Sequence, residues 1–157
     1  MKLLFKQRLF SWLDSYDIYD ESGAPVYTVE GKLAWGHKLM ICDQMGQELG
    51  TVQEEIFTFL PRFVLYQNGQ EIGEIKKEFT LFKPSFHLDC MDWQITGDFW
   101  EWEYQIVNAQ GEEIASLSKE VFNWTDTYTL DIHEPENTLM VLMIALAIDA
   151  AKCSANS

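Results

Sequence analysis

The stretch that decides the fold is TLMVLMIALAIDAAKCSANS, Thr138 to Ser157, in which no side chain from Leu139 to Ile148 is polar. A membrane-crossing helix needs about 20 apolar residues to cover roughly 30 Å of hydrocarbon. Leu139 to Ala151 would reach only about 20 Å at ~1.5 Å per residue, and Asp149 lies within it. Helix-start signals precede it: Glu134, Pro135, Glu136, Asn137 and Thr138 supply acids and capping residues for a first turn. The apolar residues form no stripe. A helix that is apolar on every side has to be buried on every side. The segment therefore reads as a helix over about 137–152 that the rest of the chain must surround.

A repeat upstream supplies the wall. Six units begin with an aromatic residue at 12, 35, 59, 82, 100 and 124. Four positions later comes an aromatic residue or leucine, and two beyond that an aliphatic: Tyr16/Ile18, Leu39/Ile41, Phe63/Leu65, Phe86/Leu88, Tyr104/Ile106 and Tyr128/Leu130. The alternation at the end of each unit is the period-2 pattern of a half-buried strand. Turn signals follow, such as DESG at Asp20 to Gly23, DQMG at Asp43 to Gly46 and NAQG at Asn108 to Gly111. Asp and Asn bond their own backbone there, and Gly admits positive φ. A second alternating run follows each turn in units one to five. Six first strands, five return strands and an N-terminal strand over Lys2 to Gln7 make twelve. The N-terminal strand and the sixth unit each lack a partner, so pairing them closes the sheet without an exposed edge. A twelve-stranded barrel is too wide for its own side chains to fill. The barrel needs a plug and the helix needs a wall. Met140 and Met143 suit irregular gaps in such a core.

The predicted fold is thus all-β with one helix: a closed 12-stranded antiparallel barrel around a buried C-terminal helix. It forms one domain over 1–153, with 154–157 as a short tail. With 47% hydrophobic residues, disorder is not expected. The formal net charge of −14 argues against general nucleic-acid binding. Cys42, Cys90 and Cys153 are far apart and odd in number, which fits free thiols in a cytoplasmic protein better than a disulfide framework. The start of the chain lacks an uninterrupted apolar run and is not read as a signal peptide.

The sequence resembles the LURP-one-related family, in its bacterial branch, within the tubby-like and phospholipid scramblase-like superfamily. The residues that carry the resemblance are FKQRLFSWLDSYDIYDESG at Phe5 to Gly23, VYTVEGK at Val26 to Lys32 and IKKEFTLFKPSFHL at Ile75 to Leu88. ITGDFWEWEYQI at Ile95 to Ile106, SKEVFNWTDTYTLDI at Ser118 to Ile132 and the closing ALAID complete it. The resemblance implies the same barrel around a C-terminal helix. Tubby-type relatives bind phosphoinositides and scramblases respond to calcium, which makes a lipid or calcium sensor the alternative function.

Candidate sites are sparse. The chain has no nucleophile-elbow, P-loop or dinucleotide motif. His37, His87 and His133 are scattered across three units and read as strand-surface or barrel-lining residues. The acidic stretch from Asp126 to Glu136, with Asp131 and Glu134, could offer oxygen ligands to calcium. Its spacing fits turn and cap acids better. Lys76, Lys77 and Lys83, with Lys2, Lys6 and Arg8, could form a lipid patch. Trp12, Trp35, Trp100 and Trp124 are unit anchors and are expected in the core or barrel wall rather than in a membrane belt. The expectation is a non-catalytic module, without cofactor or metal, that binds a protein partner through its outer surface. It is expected to be a monomer or weak oligomer.

Overall fold

A computed structural model describes residues 1–6, 15–32, 34–122 and 125–155. The strands are β1 (Lys2–Lys6), β2 (Ser15–Asp20), β3 (Pro25–Lys32), β4 (Lys38–Cys42), β5 (Glu48–Glu54) and β6 (Arg62–Gln67). They continue with β7 (Gln70–Lys77), β8 (Ser85–Leu88), β9 (Trp93–Asp98), β10 (Glu103–Val107), β11 (Glu113–Phe122) and β12 (Thr125–Ile132). A single 3-10 turn, Pro135–Asn137, leads into the helix α1 (Thr138–Ala155).

Each strand pairs antiparallel with its neighbour in sequence, and β1 pairs with β12 to close the barrel. The closing register sets Leu3 opposite Leu130 and Phe5 opposite Tyr128. This is the pairing expected from the two unmatched strands. The same-face residues continue around the sheet: Val29 meets Ile41, Leu39 meets Val52, Phe63 meets Ile75 and Ile95 meets Ile106. All eight are almost inaccessible to water.

Three turns share one construction. Asp20, Asp43 and Asn108 each accept backbone N–H groups from two and four residues ahead, at 2.9–3.1 Å. The glycine three positions on has φ of 85°, 82° and 81° respectively. The side chain replaces the bonds that the turn backbone cannot make for itself.

The helix lies inside this wall, with Val141 to Ile148 buried on all sides. It packs closest to β5. A Cβ built on Gly50 of that strand would lie 2.1 Å from Met143 Cε. Between the helix and β1–β2, the void lined by Leu142, Leu146 and Asp149 holds about 10 Å³, room for one water molecule at most. The lumen is core rather than a ligand cavity.

Two features differ from the sequence reading. The helix runs through Ser154 to Ala155, so part of the expected tail is its last turn. Taken with the 3-10 turn, residues 135–154 are long and apolar enough to cross a bilayer. Length therefore does not exclude a span, as the sequence reading held. What accounts for the apolar surface is the barrel around it.

Candidate functional site: an aromatic rim at one end of the barrel

In an up-and-down barrel, alternate connections lie at opposite ends. One end carries the tight Asp/Asn turns, the N-terminus and the start of α1. The other carries the connections β3–β4, β5–β6, β7–β8 and β9–β10, together with the end of α1. Seven large apolar side chains stand exposed in those four connections: Trp35, Phe57, Phe59, Phe79, Leu81, Phe82 and Trp100. Phe57, Phe59 and Phe82 are each more than nine-tenths exposed, at 99%, 93% and 94%. The remaining exposed large apolar residues among those described are three methionines, Met1, Met45 and Met91, at the opposite end.

For Trp35 and Trp100 this overturns the expectation of a place in the core or barrel wall. Trp35, Phe59, Phe82 and Trp100 sit in the rim connections and face solvent. The residues four and six positions on are the buried ones: Leu39/Ile41, Phe63/Leu65, Phe86/Leu88 and Tyr104/Ile106. In these four units the repeat therefore encodes one exposed rim aromatic followed by two core residues. The anchor precedes its strand, so the strand's alternation does not reach it. Trp12, Trp124 and Arg8 lie outside the described residues, and so do the side chains of Lys6 and Asp126.

Phe57 adds a second observation. Its φ is 62°, in the left-handed region that costs a side-chain-bearing residue about 1–2 kcal/mol. A bulky ring is held at that cost in full contact with water. Below the rim, buried aromatics close the barrel mouth. The Phe86 and Phe99 rings meet edge to face at 5.1 Å, and Phe99 lies 5.4 Å from Tyr104. Trp102, also at positive φ (59°), packs 4.5 Å from Tyr128.

The helix end is tied into this floor. Lys152 Nζ stands 3.6 Å from the Trp102 ring centroid and donates to the Trp100 carbonyl at 3.3 Å. Burial pushes its amine down to about 8, although the Trp102 ring favours the charged form. Ser154 Oγ donates to Glu54 Oε1 at 3.0 Å and lies 3.3 Å from His37 Nδ1, which itself contacts Glu54 Oε2. Serine, histidine and glutamate thus meet. A serine nucleophile, however, needs its hydroxyl at one imidazole nitrogen and the acid at the other. Here both contacts converge on Nδ1 while the hydroxyl bonds the carboxylate. The group works as a latch on the last helical turn.

Charge is divided between the two ends. Among lysines and arginines with described side chains, Lys2 alone lies in the turn-bearing half. Lys32, Lys38, Arg62, Lys76, Lys77 and Lys83 lie at or beside the rim, interspersed with acids such as Glu55, Glu78 and Glu101. The far turns are heavily acidic: Asp20, Glu21, Asp43, Asp89, Asp92, Glu112, Glu113, Glu134 and Glu136.

The other sequence candidates do not converge. His37 belongs to the latch, His87 contacts Asp92 at 2.8 Å, and His133 contacts Glu113 at 2.8 Å at the far end. Asp131 is on β12, while Glu134 and Glu136 flank the turn into α1. Among the described residues no group of His, Cys, Asp and Glu could hold a metal ion. Lys76 and Arg62 are both drawn to Glu74, Lys76 at 3.2 Å. The Arg62 and Lys76 contacts hold the Glu74 carboxyl below its usual range against its partial burial. An open concavity of about 1050 Å³ runs over β9 to β11 from the rim residues Lys83 and Trp100 to Gln105, Ser116 and Ser118.

Comparison with known proteins follows the fold. The LURP-one-related family model matches residues 1–149. The chain belongs to the LURP-one-related family. Among its relatives, the uncharacterized protein YxjI of Bacillus subtilis (strain 168) is 31% identical over 150 residues, covering 95% of this chain and 92% of that protein. The X-ray structure of an Arabidopsis thaliana protein superposes with a TM-score of 0.60 at 14% identity, covering 92% of this chain and 90% of that one. At that identity the plant structure speaks for the shared barrel fold alone.

Proposed function

We propose that this protein is a non-catalytic binding module whose contact surface is the aromatic rim. The observation that carries this reading is the collection of seven exposed apolar side chains in four separate connections at one end of the barrel. Single exposed apolar residues are ordinary on any surface. Seven gathered at one barrel end, with a strained Phe57 among them, are what a docking site leaves exposed when its partner is absent. Each ring fully removed from water would contribute about 1.5–3 kcal/mol. The outer wall, where a contact surface was expected, is alternating and polar, and offers no comparable patch among the described residues.

The phosphoinositide or calcium reading has weaker support. A head-group site needs several uncommitted cations, whereas Arg62 and Lys76 are engaged with Glu74, which leaves Lys77 and Lys83 of the expected patch. A calcium site needs converging carboxylates, and the acids of the 126–136 stretch whose side chains are described spread along β12 and the turn after it.

The test is mobility of the fluorescently tagged chain in living cells. The wild type should be retarded relative to a free protein of its size. A rim variant carrying F57S, F59S, F79S and F82S should diffuse freely while melting at the same temperature. Equal, free diffusion of both would remove the rim as a binding surface.

A further inference from the structure

Resting on that reading, we infer that the partner of the rim is a lipid bilayer surface, with the barrel standing upright on it and the acidic turns facing water. Three features of the chain point this way.

The first is residue chemistry. The rim combines Trp35 and Trp100 with phenylalanines and the lysines Lys38, Lys77 and Lys83. Tryptophan rings settle at the boundary between hydrocarbon and head groups, phenylalanine enters the acyl region, and lysine keeps its charge in the head-group layer.

The second is placement. The apolar side chains come from four different connections around one barrel end rather than from one groove. Tips distributed in this way enter a fluid interface together. A protein partner would need a matching pocket for each.

The third is charge polarity. Among the residues with described side chains, the excess of acids lies at the opposite turns, while cations and acids balance at the rim. An anionic lipid surface repels the far end and leaves the rim as the face of closest approach. Because the rim is close to neutral, apolar insertion holds the contact and charge only orients it. This differs from head-group capture, which salt abolishes.

The experiment is flotation of the purified full-length chain with vesicles of phosphatidylcholine, and separately of phosphatidylcholine mixed with phosphatidylglycerol. Both are run at low and high salt. The expected result is flotation with both vesicles that survives high salt, with a blue shift of tryptophan emission. The quadruple rim variant should lose at least about tenfold in partition, the change that ~1.4 kcal/mol produces. A second variant, W35K with W100K, should lose comparably. Flotation lost in high salt would replace insertion with head-group electrostatics and overturn the inference. Absence of flotation under all conditions, with rim-dependent retardation still seen in cells, would overturn the bilayer and leave the rim as a protein-binding face. Absence of both would remove the rim reading too. A doubled hydrodynamic mass that the rim variants abolish, without flotation, would make a second copy the occupant and equally overturn the bilayer.

Discussion

Ser154 Oγ donates a hydrogen bond to Glu54 Oε1 across 3.0 Å, joining the last turn of the axial helix to the end of β5. The two residues are a hundred positions apart, so the bond closes the barrel mouth rather than a local turn. Replacing Ser154 with alanine leaves part-buried Glu54 one donor short and should cost about 1 kcal/mol. The effect should depend on pH. Burial pushes the Glu54 carboxyl up, but hydrogen bonds from His37 and Ser154 outweigh it and leave it below its ordinary 4.5. In acid the unfolded chain therefore takes up this proton first. The stabilisation is complete above about pH 4.5 and is lost as pH falls through the lower folded-state value. Thermal melts of wild type and S154A should differ at neutral pH and converge in acid. A difference that persists in acid would show that the hydroxyl acts by packing alone.

Gly97 of β9 faces Tyr104 of β10 at unusually close range. A Cβ on Gly97 would lie 2.4 Å from the Glu103 carbonyl oxygen and 2.5 Å from Tyr104 Cα, and φ is 148°. Backbone cannot swing aside as a side-chain end can. G97A should cost about 2–3 kcal/mol, more than the positive φ alone explains. The control is G23A, where φ is 85° and no atom lies within 4 Å. That substitution should cost only the left-handed term of about 1 kcal/mol. Denaturant midpoints of the two variants separate the effects, and equal losses would refute the close-contact account.

The barrel was legible because Phe63 and Leu65, or Tyr104 and Ile106, alternate inside strands whose number follows from the repeat. The helix was legible because Leu139 to Ile148 has no polar face. The rim was not legible. Phe99 and Trp100 are adjacent and chemically alike, yet one is 5% exposed and the other 59%. Connections have no period, so sequence alone does not say which ring turns inward. The latch was missed for a different reason. Glu54 continues the inward parity of Gly50 and Val52, a signal present in the sequence, but its partner Ser154 was assigned to a tail. Charge polarity was hidden in the net total, which does not reveal that the lysines gather at one end.

Phe57 separates stability from binding by the sign of its effect. At φ 62° and 99% exposure it carries backbone strain and gives the folded monomer little packing in return. Asparagine tolerates the left-handed region. F57N should therefore raise stability, by about 0.5–1 kcal/mol on that scale, while weakening rim-dependent retardation in cells. Calorimetry and tagged-protein mobility check the two halves. A destabilised F57N would mean that the ring packs in the monomer and is not reserved for a partner.

Lys152 reports on the rim through its chemistry. Burial lowers its amine to about 8 from an ordinary 10.5. The unfolded chain keeps the proton between those values, so stability should rise as pH climbs from about 8 to 10.5, and K152M should flatten that rise. The same shift leaves much of this amine neutral near pH 8. Its acylation, followed by peptide mass spectrometry across pH, should reach half-maximum near 8. A midpoint near 10.5 would show that the Trp102 ring holds the charged form against burial. Vesicles extend the measurement to orientation. An upright barrel places Lys152 and Lys83 against the lipid and Lys2 at the opposite end, so vesicles should protect the first two and leave Lys2 as reactive as before. Equal protection of all three would mean that the protein lies on its side. Protection of Lys2 alone would reverse the docking face.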